Sequence, residues 1–163
     1  MNPGKIFEGE IRDSISDEIL YYRIKDPAQG FGGSGTRFSL HNPCDAIIYK
    51  YPHIYFLELK STKGTSISFS TEENNKMIKK CQIDGLTEFS KYEGSICGFL
   101  LNFRNSNHTY WLEINCFLKF LSESTKKSIN EKDVIEYCGL VIPQTKKRTR
   151  YTYDISKILK GDE

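Results

Sequence analysis

Phe7, Ile11, Ile15 and Ile19 recur at every fourth position, and Pro3 suits a first helical turn, so the chain is expected to open with a helix. The apolar run at 20–24 predicts a short strand. Residues 25–43, built around Gly-Phe-Gly-Gly-Ser-Gly, predict a loop. Two β-rich runs at 46–50 and 53–59 flank Tyr51-Pro52 and predict a hairpin. Ser70 with Glu73 forms a capping-box pattern that predicts a helix over 72–91, with Ile78, Leu86 and Phe89 on its apolar face. Long strands are expected at 95–103 and 108–114, and short helices at 116–123 and 131–137. Asn130 caps the second of these helices and Gly139 ends it. Late strands at 140–142 and 151–155 enclose a basic loop at 144–150. The order predicts a single mixed α/β domain over 1–163, with one central sheet flanked by helices.

The 163 residues suffice for one buried core. With 38% hydrophobic and 27% charged residues, the chain is no disordered tail. Lys and Arg exceed Asp and Glu by only two, so any affinity for an anionic partner must come from local clusters. No apolar run reaches the ~18 residues that cross a bilayer, and Met-Asn-Pro-Gly-Lys-Ile lacks the apolar core of a secretory signal; a cytoplasmic location without membrane contact is expected. The five cysteines (44, 81, 97, 116, 138) show no Cys-x-x-Cys spacing, so reduced, mostly buried thiols are expected rather than a zinc site or a disulfide framework. The histidines at 41, 53 and 108 are scattered.

Glu58-Leu59-Lys60 is the one acid-x-Lys triplet in the chain, and Asp45 is the single acid between Asp26 and Glu58. A reversal centred on Tyr51-Pro52 opposes Asp45 to Glu58, with Cβ atoms ~5 Å apart. Strand alternation puts Lys60 on the same face. Two carboxylates so placed repel unless a cation lies between them, and oxygen ligands with open positions suit Mg2+. The Leu59 carbonyl offers a further ligand. A water on such a metal beside the Lys60 ammonium is positioned to attack a phosphodiester. The same residues also fit a plain cross-strand salt bridge. Against that, these charges directly follow an apolar run inside the expected core strand, where burying them costs several kcal/mol.

Asp45 followed after twelve residues by Glu58-Leu59-Lys60, on strands after an N-terminal helix, resembles the PD-(D/E)xK nuclease core, a restriction-endonuclease-like fold. More narrowly, the chain resembles the RecU-type Holliday junction resolvases, especially short phage-encoded ones. Gly4 to Ile11 is similar to the opening helix of that family, and 58–69 to its catalytic strand. Gln82, Ile83 and Leu86 are similar to a His-Gln-Ile-x-x-Leu helix, with Cys81 in place of the histidine. Lys127-Ser128-Ile129 and the spaced Ile135, Gly139 and Ile142 are similar to its C-terminal motifs. The loop at 25–43 is shorter than the family's stalk, which bears on junction preference rather than on cleavage.

The resemblance implies that Asp45 and Glu58 hold Mg2+, with Mn2+ able to substitute. It implies that Lys60 orients the water and that Glu8 assists through a second metal or a water. Gln82 would support the site from its helix. It further implies a homodimer that resolves four-way DNA junctions by paired symmetric nicks in recombination, in the bacterial host cytoplasm if phage-encoded. Two alternatives stay open: an endonuclease of this superfamily with another DNA substrate, and a non-catalytic junction-binding protein. Lys25, Arg37, Lys63, Lys76, Lys79, Lys80, Lys146, Lys147 and Arg148 are the candidate DNA-binding residues, with Arg37 and the loop's backbone amides at the strand-exchange point. Lys76, Lys79 and Lys80 are expected on one helix, and the acids Asp13, Asp17 and Glu18 on the far side. The glycine-rich loop lacks the closing Gly-Lys-[Ser/Thr] of a P-loop, so no nucleotide cofactor is expected. Trp111 and most tyrosines are expected in the core or at a dimer interface.

Overall fold

A computed structural model describes residues 2–26 and 41–160. Most of the glycine-rich segment, Arg37 included, lies outside the described residues. Helix α1 (Pro3–Asp13) starts where the Asn2 side chain accepts the Gly4 amide, at 2.9 Å, and Pro3 begins the first turn. It buries Phe7, Glu10 and Ile11. The four-residue repeat overshoots: Ile15 and Ile19 lie past its end, beside the strand β1 (Leu20–Arg23).

β2 (Ala46–Lys50) and β3 (His53–Thr62) form the expected hairpin in the expected register, Ala46 opposite Leu57 and Lys50 opposite His53. The short strand β4 (Ser66–Ser68) follows. Next come helix α2 (Lys80–Phe89) and the strands β5 (Ser95–Phe103) and β6 (His108–Glu113). Helix α3 (Ile114–Glu123), strand β7 (Ser128–Asn130) and helix α4 (Glu131–Glu136) lead to β8 (Leu140–Val141), β9 (Gln144–Lys147) and β10 (Arg150–Tyr153). Among the described residues the central sheet has six strands in the order β1-β2-β3-β5-β6-β8, of which only β3 and β5 pair in parallel. β4 pairs with β7, and β9 with β10.

Helices cover both faces of this sheet. Phe69, Ile83, Leu86, Phe99, Leu101 and Phe117 pack between it and the helices α2 and α3. Phe7, Ile11, Tyr55, Leu57, Leu100 and Trp111 fill the side facing α1 and the C-terminal segment. β5 is therefore apolar at nearly every position, as a strand covered on both faces must be. The expected mixed α/β fold, one central mixed sheet flanked by helices, is the fold observed.

Three local expectations are corrected. The helix foreseen over 72–91 begins only at Lys80, because the Ser70 hydroxyl closes a turn on the amides of Glu72 and Glu73 instead of capping a helix. Asn74 then reaches forward to the Cys81 amide, at 2.9 Å. Lys76 thus lies in a loop, Lys79 at the helix start, and Lys80 pairs with Asp84. The basic loop at 144–150 is a hairpin of β9 and β10, turning at Arg148 with a positive φ of 45°. All five cysteines are free, but only Cys44 and Cys97 are buried, and Cys138 is exposed.

Candidate active site

β3 carries its side chains alternately to the two faces, so Phe56, Glu58 and Lys60 face α2 while Tyr55, Leu57 and Leu59 face α1. Asp45 sits just ahead of β2, held by its backbone between two strands: its amide donates to the Leu57 carbonyl at 2.9 Å, and its carbonyl accepts from the Ile24 amide at 2.8 Å. Its carboxylate turns across to accept the Leu59 amide at 2.8 Å. N–H and C=O of one strand residue point to the same side, so the Leu59 carbonyl also lies on the Asp45 side.

Glu58 is 1% exposed. Its Oε1 receives the Lys60 ammonium at 2.6 Å and the Gln82 amide Nε2 at 2.5 Å. Among the described residues its Oε2 is buried with no hydrogen-bond partner. Burial pushes the Glu58 carboxyl up to about 8; the Lys60 ammonium opposes this and Asp45 adds to it. Burial also raises Asp45, against the lowering effect of the Leu59 amide and Lys60. Gln82 is fixed at both ends, because its Oε1 accepts the Lys79 amide at 2.9 Å at the start of α2. A Cβ on Gly85 would lie 2.3 Å from Pro43 Cβ, so this glycine lets α2 settle against the segment leading to Asp45 and brings Gln82 over Glu58.

The structure therefore gathers Asp45, Glu58, Lys60 and Gln82 at one end of β3, on one face. Glu8 approaches from the α1 side. Its charge is near enough to help raise Asp45, but its Oε2 is taken by the Arg23 guanidinium at 2.7 Å. Arg23 was not singled out from the sequence. Its sequence cue is slight: a lone cation in the short run Leu-Tyr-Tyr-Arg-Ile, with no acid-x-Lys spacing of the kind that marks Lys60. Lys25 and Lys63 are exposed. Asp13 is not on a side remote from the basic residues: it lies 3.8 Å from Arg150. Trp111, Tyr55, Tyr110 and Tyr153 are buried, whereas Tyr22, Tyr49, Tyr51 and Tyr92 are exposed.

Among the described residues, no cluster of three or more His, Cys, Asp or Glu forms a ready metal cage. What the site offers a cation is two adjacent carboxylates, one bearing a buried oxygen without a partner, and a backbone carbonyl beside them. That set fits a hard divalent ion that keeps several waters. No described helix is long and apolar enough to cross a membrane.

The family model of Recombination protein U matches residues 48–157. The SPbeta prophage-derived uncharacterized protein YotM of Bacillus subtilis (strain 168) is 35% identical over 170 residues, covering 96% of this chain and 85% of that protein. Among solved structures, Archaeoglobus fulgidus Hjc, a Holliday junction resolvase from an archaeal hyperthermophile, is similar at 15% identity and a TM-score of 0.47, over 84% of this chain and 87% of that one.

Proposed function

The chain belongs to the Recombination protein U family, and on that premise we propose that it is a Mg2+-dependent endonuclease that resolves four-way DNA junctions. The observation that carries this reading is the convergence of Asp45, Glu58 and Lys60, with one Glu58 oxygen buried and, among the described residues, unpartnered. A carboxylate left in that condition without purpose would cost stability. Asp45, Glu58 and the Leu59 carbonyl would hold the ion. When bound, Mg2+ would acidify a water and neutralise charge growing on the scissile phosphate. Lys60, beside Glu58, would orient the attacking water and help stabilise the charge that grows on the phosphate. Gln82 keeps Glu58 oriented, so that Oε1 faces Lys60 and Oε2 stays available. Glu8, steadied by Arg23, would act from the α1 side of the sheet edge.

A homodimer supports two symmetric nicks, because a two-fold axis places one site on each of two opposed strands. The exposed lysines Lys25, Lys63 and Lys76 would contact phosphates; Lys79 and Lys80 lie at the start of α2, and Arg37 falls outside the described residues. The prophage origin of the relative supports a phage-encoded protein acting in the bacterial cytoplasm.

The test uses a labelled four-way junction, a linear duplex and a flap, each with Mg2+, with Mn2+ or with EDTA. Paired nicks on the junction alone, dependent on the metal, are expected. Asp45→Ala or Lys60→Ala should lower cleavage at least a hundredfold with junction binding retained. Cutting of ordinary duplex would point to another DNA substrate. Tight binding without cleavage would leave a junction-binding protein, and a fully active Lys60→Ala protein would remove the site.

A further inference from the structure

The β9–β10 hairpin presents Lys146, Lys147, Arg148 and Arg150, all exposed. Lys147 stands directly opposite Arg150 in the ladder, an arrangement of like charges that weakens an isolated hairpin. Among the described residues the only ion pair reaching these cations is the one between Arg150 and Asp13, at 3.8 Å between exposed groups. The hairpin nevertheless has a firm base. Glu10, buried in α1, pairs with no cation among the described residues; its Oε1 accepts the Tyr151 amide at 3.0 Å and its Oε2 the Tyr153 hydroxyl at 3.2 Å. Ser14 accepts the Tyr153 amide at 3.0 Å while donating to the Glu10 carbonyl at 2.6 Å. On the other strand, Gln144 accepts the Thr109 hydroxyl at 2.7 Å.

The Thr109 contact also locates the hairpin. Thr109 accepts from Asn102 at 2.9 Å, and Asn102 accepts from Ser61 at 2.8 Å, next to Lys60 on β3. By strand alternation Ser61 and this polar row lie on the α1 face of the sheet, opposite the face that carries Glu58 and Lys60, but at the same end of β3. A buried, cation-free carboxylate that fixes a self-repelling basic hairpin at the active-site end has a physical purpose if a polyanion supplies the missing counter-charge.

Resting on the nuclease reading above, we infer that this hairpin is a rigid arm gripping the phosphate backbone of one duplex arm of the substrate, with Glu10 as its latch. The contact is to phosphates, so it is independent of base sequence and strongly sensitive to salt. Glu10 is a positioning residue here and touches no DNA.

The test measures binding of a fluorescent four-way junction and of a 30-base-pair duplex in EDTA, from about 50 to 200 mM salt. The variant Lys146→Gln/Lys147→Gln/Arg148→Asn/Arg150→Gln should bind both DNAs at least tenfold more weakly near physiological salt. Its log–log salt slope should be shallower by about 2–3, at ~0.9 per lost phosphate contact. The control Lys50→Ala/Lys91→Ala, at the opposite end of the sheet, should keep the wild-type slope. Glu10→Gln retains an acceptor for the Tyr151 amide and should bind at least as tightly as wild type. Glu10→Ala frees the hairpin and should bind several-fold more weakly, although removing an acid alone would favour DNA. Tighter binding by Glu10→Ala, or an unchanged slope in the hairpin variant, overturns the arm while wild-type cleavage leaves the nuclease reading intact. A wild-type protein that neither binds nor cuts DNA overturns the nuclease reading instead.

Discussion

Glu58→Gln should stabilise the metal-free protein while abolishing cleavage. In the folded chain the Glu58 carboxyl sits at about 8 through burial, against 4.5 for an ordinary glutamate. The folded state therefore binds a proton that the unfolded state releases between those values, and stability falls as pH rises through that window. At pH 7, taking up that proton costs on the order of 3 kcal/mol, at about 1.4 kcal/mol per pH unit. Glutamine carries no such cost. Its carbonyl can still accept from Lys60 and Gln82, and its amide places a donor where Oε2 now lacks a partner. Urea unfolding in EDTA at pH 5, 6, 7 and 8 should show a gain near zero at the acid end, growing to about 2–3 kcal/mol at neutral pH and levelling above pH 8. Added Mg2+ should stabilise wild type and not the variant. A gain that does not grow with pH, or a variant less stable than wild type at pH 8, refutes the reasoning.

Gly85→Ala should improve intrinsic helix propensity by about 1 kcal/mol and still destabilise the protein by about 1–3 kcal/mol, because the new Cβ meets Pro43 at 2.3 Å. Relief of that clash moves either Gln82 or Asp45, so a melting curve and the junction assay should fall together, with at least a tenfold loss of cutting. At the start of α4, burial acts to raise the Glu131 carboxyl, but hydrogen bonds from Tyr110, Ser106 and His108 hold it below the ordinary glutamate value. Its contribution is present above about pH 4.5 and is lost as pH falls through its lowered value. The stability difference between wild type and Glu131→Gln, read by urea unfolding, should therefore be constant near neutrality and shrink in acid.

The hairpin register was legible because a two-residue reversal fixes every opposed pair, and that register alone brings Asp45 to Glu58. β5 and β6 were legible as long apolar runs. The start of α2 was not, because Ser70 and Glu73 spell a cap wherever they occur, and only the tertiary pairing of Phe69 with Ile78 decides that the chain stays extended there. β9 is illegible for a related reason: Gln-Thr-Lys-Lys has no apolar alternation, and the strand exists because Gln144 accepts from Thr109 and because its partner β10 is fixed by Glu10 and Ser14. The link between Glu8 and Arg23 is likewise a contact between α1 and β1 that no local pattern encodes.

The most direct test of the central claim is an anomalous difference map from crystals soaked in Mn2+. The account predicts a peak within metal–oxygen bonding distance of an Asp45 carboxylate oxygen and Glu58 Oε2, with the Lys60 ammonium alongside. An empty site at saturating Mn2+, or a peak bound elsewhere with Glu58 still unpartnered, would contradict it.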